Sequence, residues 1–451
     1  MASWFRYSLA VVLLGSALVR AESTAGVYSG FRGDGTGKTQ ARDLPLEWSP
    51  TTVAWKADLP GYGQSSPVVL GNTIFLTAIE GPNKEKNLVI ALDAATGKRR
   101  WLRELPASQT MKASFSVSRA APTPVVDANG LTVFFESGEL ARFSLDGEQQ
   151  WLRSLVKEYG EFKNGHMLGS SLAQTADSVF VLVDHQAPSY LLSVDKKTGK
   201  NRWKADRKGR VSWTTPVVVN QGKSQRLVIS SGGSVDVYDC ETGQQLSSYT
   251  EVGNNSVPSA VVQGNRVVIG ASDPPRNPDR ALTLKSCCCL ELQDDGRLGK
   301  KLWSSERATA SFASPLIAGD CVYYINTVGV LYCLDLNTGK EHYAMRTGAS
   351  CWASPVLAGD RIYLFGKNGI TTVVRAGPKF EKLATNLLWE GIREESPPKK
   401  PEPADKVDLI KIKESRQTPP EFLDPIVYGV AMVDGAFFIR TGTALYAVKQ
   451  C

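Results

Sequence analysis

An eleven-residue phrase that returns along the chain restricts the fold more than any other feature. Ala91-Leu-Asp-Ala-Ala-Thr-Gly-Lys-Arg-Arg-Trp101 recurs as Ser193-Val-Asp-Lys-Lys-Thr-Gly-Lys-Asn-Arg-Trp203 and again as Cys333-Leu-Asp-Leu-Asn-Thr-Gly-Lys-Glu-His-Tyr343. Degenerate copies end at Trp151, Tyr249, Trp303 and Trp389, and subtraction of positions puts successive aromatic ends 40 to 54 residues apart. That period suits one four-stranded propeller blade. The turn residues have physical roles. The Asp93/Thr96, Asp195/Thr198 and Asp335/Thr338 side chains can bond nearby backbone amides, and Gly97, Gly199 and Gly339 supply the positive φ of a bulged hairpin. Each closing aromatic brings a large apolar face with a polar handle to the gap between blades.

A second signature precedes each aromatic end: Ser65-Ser-Pro-Val-Val69, Ala121-Pro-Thr-Pro-Val-Val126, Thr214-Thr-Pro-Val-Val-Val219, Val257-Pro-Ser-Ala-Val-Val262, Ala313-Ser-Pro-Leu-Ile317 and Ala353-Ser-Pro-Val-Leu357, with a looser copy at Gly169-Ser-Ser-Leu-Ala173. Most copies are followed by a Gly turn and a second β run. Pro is tolerated there because its missing donor falls at a strand end. Each unit thus reads as strand, Gly turn, strand, turn, strand, Asp-x-x-Thr-Gly turn, strand. The last unit, from Asp424 to Val448, has three strands and lacks the fourth, which Thr52-Val-Ala-Trp-Lys56 is placed to supply. The expectation is an all-β, eight-bladed propeller of four-stranded antiparallel blades. An N-terminal strand closes the last blade and leaves no sheet edge open. With 40 Gly, 24 Pro and abundant Val, Ile and Thr, the composition leans the same way.

The domain reading assigns residues 1–21 to a signal peptide, 22–50 to an N-terminal extension and 51–451 to the propeller, with a Pro/Lys/Glu-rich insertion at 392–422 before the closing blade. The run Ser8 to Val19 is too short to cross a membrane as a helix, and Val19-Arg20-Ala21 has the small or branched residues of a cleavage site. The first cysteine is Cys240, so a lipoprotein is not expected. Localisation is therefore read as secreted or periplasmic, with no later segment apolar enough to span. The formal charge of +7, from 52 basic and 45 acidic residues, is spread along the chain and gives no nucleic-acid footprint. The insertion reads as a loop or tether.

The phrase at 91–101 resembles the tryptophan-docking motif of quinoprotein alcohol dehydrogenases and their non-catalytic relatives, the BamB-like secreted bacterial propellers with pyrroloquinoline-quinone (PQQ)-like repeats. The leader Gly30-Phe-Arg-Gly33, Leu44-Pro-Leu-Glu-Trp48 and Val53-Ala-Trp-Lys56 is similar to theirs as well. The resemblance covers about residues 50 to 450. For the dehydrogenase branch it would imply PQQ held on the propeller axis by Ca²⁺, with an Asp as base. No local motif fixes such a ligand set, so no catalytic or metal residue is carried over and no cofactor is expected. PQQ with Ca²⁺ remains the alternative. No Cys-x-x-Cys-His haem motif occurs.

Cys287-Cys288-Cys289 is superficially similar to the vicinal disulfide of the dehydrogenases. In a strand, however, neighbouring side chains face opposite ways, poorly placed for an S–S bond, and buried thiols are the expectation. Cys321 and Cys333 lie on successive strands of one hairpin and form the candidate disulfide if the register allows. His166, His185 and His342 show no metal-ligand spacing, and neither Ser65 nor Ser66 has a recognisable His/Asp partner. The favoured function is a non-catalytic, monomeric scaffold that binds protein or peptide at one propeller face. A quinoprotein dehydrogenase is the alternative. A carbohydrate-binding propeller using Trp213, Phe312 and Trp352 is the weaker one.

Overall fold

The computed structural model describes residues 26–222, 224–273, 280–348, 350–391 and 424–450. The segment 1–21 and the insertion 392–422 lie outside them. Eight antiparallel blades are arranged as expected. Blade 1 runs from the axis outward as Val68–Leu70, Thr73–Glu80, Lys86–Asp93 and Arg99–Pro106. Blades 2 to 7 repeat this order, starting at Val125, Ala173, Val217, Val261, Leu316 and Val356. Blade 8 combines Val427–Val433, Ala436–Thr441 and Ala444–Lys449 with the N-terminal Val53–Asp58, which pairs antiparallel with Ala444–Lys449. The ring is therefore closed by hydrogen bonds between the two ends of the chain.

Middle strands are apolar on both faces because each blade is covered by two neighbours. Lys86–Asp93 is buried for all but its terminal residues, while the outer Arg99–Pro106 is exposed or half-buried except at Leu105. The core accordingly lies in the wedges between blades. Phe134 and Leu140 of blade 2, for example, share a cluster with Val179 and Val181 of blade 3.

The Asp-x-x-Thr-Gly turns are built alike. Asp93 Oδ1 accepts from the Thr96 amide and hydroxyl at 2.9 Å each, and Gly97 at φ +71° donates its amide to Asp93 O. The same pattern recurs at Asp195, Asp239 and Asp335. The Arg100 guanidinium and then the Thr96 hydroxyl hold the Asp93 carboxyl down at about 2. Asp335 is lowered first by the Thr338 hydroxyl. At Asp195 and Asp239 burial pulls upward most strongly of any single cause, but the Thr198 and Thr242 bonds together with the Arg202 and Arg226 charges outweigh it and both are lowered. A depressed folded-state pKa stabilises the fold above the unfolded value, and that contribution is lost as pH falls through the folded one. The urea midpoint should therefore drop between roughly pH 4 and 2. Asn at all four positions should flatten that slope, and an unchanged slope would assign the acid sensitivity to other carboxylates.

The aromatic ends dock as the repeat implies at Trp101, Trp151, Trp203 and Trp303. Each indole Nε1 donates to a carbonyl of the next blade's turn: Leu145, Lys196, Cys240 and Leu336, at 2.7 to 3.0 Å. Each ring also lies over that turn's glycine. A Cβ on Gly147, Gly199, Gly243 or Gly339 would come within 2.5 to 2.8 Å of the indole. Trp55 of blade 8 covers Gly97 of blade 1 in the same way.

Two of the expected blade ends are corrected by the register. The docking residue follows a one-residue bulge, as where Ala91 faces Trp101 and Leu92 faces Arg99. In blade 4 that position is Ser247, opposite Val237, and not Tyr249. In blade 7 it is Ala384, opposite Val373, so Trp389 lies beyond the outer strand Lys382–Leu387. Trp389 still bridges to blade 8, with its ring 6.0 Å from that of Tyr446.

The candidate disulfide is corrected as well. Cys321 and Cys333 are both free thiols: Cys333 pairs with Tyr323 and Cys321 with Asp335, so the two are diagonal neighbours, not an opposed pair. Cys287, Cys288 and Cys289 are buried free thiols on alternating faces. Cys287 and Cys289 pack towards blade 6 and Cys288 towards blade 4. Burial pushes the Cys287 and Cys289 thiols up to about 12, which keeps them protonated and unreactive.

The N-terminal extension does more than precede the ring. Val27–Tyr28 adds an antiparallel strand to the inner edge of blade 1, and Lys38–Thr39 adds a parallel one to that of blade 7. Trp48 is buried between Phe365 and Phe437, with ring centroids at 6.4 and 5.7 Å. The segment from residue 26 to 48 thus crosses one end of the axial channel and ties blades 7, 8 and 1 together.

Candidate functional site

The second repeat signature has a structural role that the strand-start reading did not reveal. The residue at the head of each inner strand is Ser66, Thr123, Ser171, Thr215, Ser259, Ser314 or Ser354 in blades 1 to 7. All seven line one axial cavity of about 440 Å³. Their hydroxyls form a belt in which each blade's backbone N–H donates to the next blade's hydroxyl oxygen. The bonds run Ser66 to Thr123 at 3.0 Å, Thr123 to Ser171 at 3.0 Å, Ser171 to Thr215 at 3.1 Å, Thr215 to Ser259 at 2.9 Å, Ser259 to Ser314 at 3.0 Å and Ser314 to Ser354 at 3.0 Å. Proline follows five of the seven. In blade 8 the corresponding residue is Gly429, opposite Arg440. A Cβ there would lie 2.7 Å from Ser66 Cα and closer still to its hydroxyl, so the seam has no room for an eighth side chain.

On one side of the belt the cavity widens between aromatic rings. Trp352 packs against Phe312 with ring centroids at 4.8 Å and against Tyr428 at 5.7 Å. Across the cavity Trp213 donates its indole N–H to Met167 O at 2.9 Å and lies 6.0 Å from the ring of His166. Trp213, Phe312 and Trp352 thus do converge, as the sequence suggested. His166 Nδ1 lies 2.7 Å from Ser116 O, and because a carbonyl only accepts, that nitrogen carries the proton. His185 lies apart from the cavity, its Nδ1 accepting from the Lys163 amide, and His342 sits beside Asp335 in another cleft.

The other end is closed by Tyr28, Phe31 and Arg32 of the N-terminal extension, which also line the cavity. Arg32 is 3% exposed. Its Nη2 donates to Pro315 O at 2.7 Å and to Thr36 O at 3.2 Å.

This donor set does not suit a Ca²⁺-held quinone. None of the described side chains lining the cavity is a carboxylate, and the formal charge that Arg32 brings there is positive. Among the described residues no three His, Cys, Asp or Glu side chains cluster as metal ligands, and Ser65 bonds Thr77 and Arg440, not a base. Of the described residues that line the cavity His166 is the one imidazole, and with its proton on Nδ1 its Nε2 is left as an acceptor.

Comparison with known proteins agrees with the architecture. No curated protein sequence matches the chain. BamB from Moraxella catarrhalis is similar in fold, with a TM-score of 0.55 at 11% identity over 88% of this chain and 96% of that one. The quinohemoprotein alcohol dehydrogenase from Comamonas testosteroni gives 0.61 at 11% identity over 95% of this chain and 82% of that one. The computationally designed Ika8 protein gives 0.51 at 14% identity over 86% and 98%. At these identities the likeness is one of fold alone. The family model described as outer membrane protein assembly factor BamB matches residues 22–162, 137–277 and 293–406, and with more than half of its length covered the chain belongs to this family of PQQ-like repeat propellers.

Proposed function

We propose that this protein is a non-catalytic scaffold of the periplasm or cell exterior that holds a segment of another protein in the aromatic mouth of its axial cavity. The observation that carries the reading is the cavity lining: aromatic rings at the mouth, neutral hydroxyls at the belt and no carboxylate among the described lining side chains. Such a surface supplies contact area and hydrogen bonds, the ingredients of recognition. The assembly-factor name of the matching family fits a role in holding other proteins. Phe312 is 40% exposed beside Trp352, which is unusual for a large aromatic unless something covers it.

A photo-crosslinking residue at Phe312, in cells that make the full chain, should give a discrete protein adduct, whereas one at the equally exposed Leu152 on an outer strand should not. Trp352→Ser should reduce the Phe312 adduct at least about tenfold, the loss expected when a central interface aromatic is removed. Equal adducts at both positions would defeat the reading. So would alcohol-dependent dye reduction by the purified chain after reconstitution with PQQ and Ca²⁺.

A further inference from the structure

We propose that the axial cavity is a carboxylate site: Arg32 receives the anionic end of a ligand whose apolar or aromatic body lies against Trp352 and Phe312. The inference deepens the scaffold reading above and rests on it.

The first ground is the state of Arg32. Its Nη2 is satisfied by two backbone carbonyls, but Nε and Nη1 are buried without a partner, and no ion pair with a carboxylate is present among the described residues. Burial depresses the guanidinium to about 10, still far above neutrality, so the group is a cation with donors to spare. The Asp34 carboxylate acts on it from beyond ion-pair distance, a buried charge is costly without a close counter-charge, and a guanidinium fork is suited to a carboxylate. The local backbone is shaped to keep it there. Arg32 itself is left-handed at φ +56°, and Gly37 leaves open the space where a Cβ would stand 2.7 Å from Nη2 and 3.1 Å from Nε.

The belt supplies the second ground. Six of its seven hydroxyl oxygens already accept a backbone N–H from the neighbouring blade. One lone pair of each is thereby taken, and each still has its O–H donor to offer a ligand beside its second lone pair. An ionised carboxylate only accepts, and so complements a ring of donors around a cation.

The field is the third. Arg440 is fully buried behind Ser65 and bonded, among the described residues, to Ser65 and Thr77, and Arg119 lies over the Tyr62 ring near the mouth. Neither has a carboxylate ion-pair partner among the described residues. The cavity volume of about 440 Å³ is in the range of small-ligand pockets and takes one or two terminal residues of a chain, or a small organic acid.

Both sources present the same chemistry, and calorimetry on the full chain separates them. The probes are N-acetylphenylalanine and its amide, and a hexapeptide ending in Phe with a free or an amidated C-terminus. The expected result is that one acid binds at least tenfold more tightly than its own amide. A preference in the peptide pair alone assigns the site to a chain terminus, and a preference in the small pair alone assigns it to a free acid. In Arg32→Gln the preference should fall to within twofold, while Arg32→Lys should keep part of it. The wild-type comparison stands even if a variant does not fold. Acid and amide binding alike, or neither binding, overturns the carboxylate site. That outcome is separate from the fate of the scaffold reading, which is decided by the Phe312 adduct.

Discussion

Replacing Gly199 by Ala, or Trp151 by Ala, should destabilise the propeller by several kcal/mol, although one change adds a methyl and the other deletes a ring. Gly199 holds φ +71°, where an L-residue costs about 1–2 kcal/mol. The new Cβ would also meet the Trp151 ring at 2.7 Å, and forcing a group into a filled site adds about 1–3 kcal/mol. Trp151→Ala removes the ring and leaves Lys196 O without its indole donor, a change in the range of about 3–5 kcal/mol. Because the two side chains meet in one contact, the double variant should cost less than the sum of the singles. The measurement is denaturant unfolding of all four proteins. Strict additivity would show that the glycine and the tryptophan are not one device.

Those contacts explain why so much of the fold could be read from the sequence. A blade cannot cover its own faces, so most blades repeat a turn and a docking ring, and the need is printed in most of the repeats even though blades 4 and 7 have Ser247 and Ala384 at the docking position. The misreadings have an equally local cause. The docking residue lies eight positions after the turn aspartate, as from Asp93 to Trp101, Asp195 to Trp203 and Asp335 to Tyr343. Eight residues after Asp239 stands Ser247, and the nearest aromatic, Tyr249, lies two positions further on. Trp389 is likewise the nearest aromatic in blade 7, but the bulge there puts Ala384 at the docking position.

The cavity was half visible. A hydroxyl precedes proline in five copies of the second signature, but proline's own tolerance at a strand end accounted for the pattern and hid the belt. Ser171 and Ser259, which lack the proline, belong to the belt as fully as the others. Arg32 carried no periodic signal at all. Its bond to Pro315 O joins residues 283 apart in sequence, and only the return of the N-terminal extension across the channel brings them together. Long-range closure of this kind depends on the completed ring, whereas a turn depends on a few neighbours.

The seam between blades 8 and 1 gives the second large effect, because there the belt breaks its own rule. Gly429→Ser looks like a repair that completes the ring of hydroxyls, yet it should destabilise the protein by about 2–3 kcal/mol, the upper part of the range for overpacking. Gly429 Cα faces blade 1 so closely that a Cβ would lie 2.9 Å from Ser66 Cβ and 2.7 Å from its Cα. Flexible side chains can turn away from such a contact, but a Cα cannot. Moving it means shifting the inner strand of blade 1, which the buried Arg440 holds in place through its bonds to Ser65 and to Thr77 O. The partner change Ser66→Gly should therefore rescue Gly429→Ser only in part, since it removes the side-chain contacts and leaves the backbone one. Full rescue in thermal or denaturant unfolding would place the clash in the side chain alone. A neutral single variant would mean that the ring closes with slack, and that the glycine at the eighth position is not required by the packing.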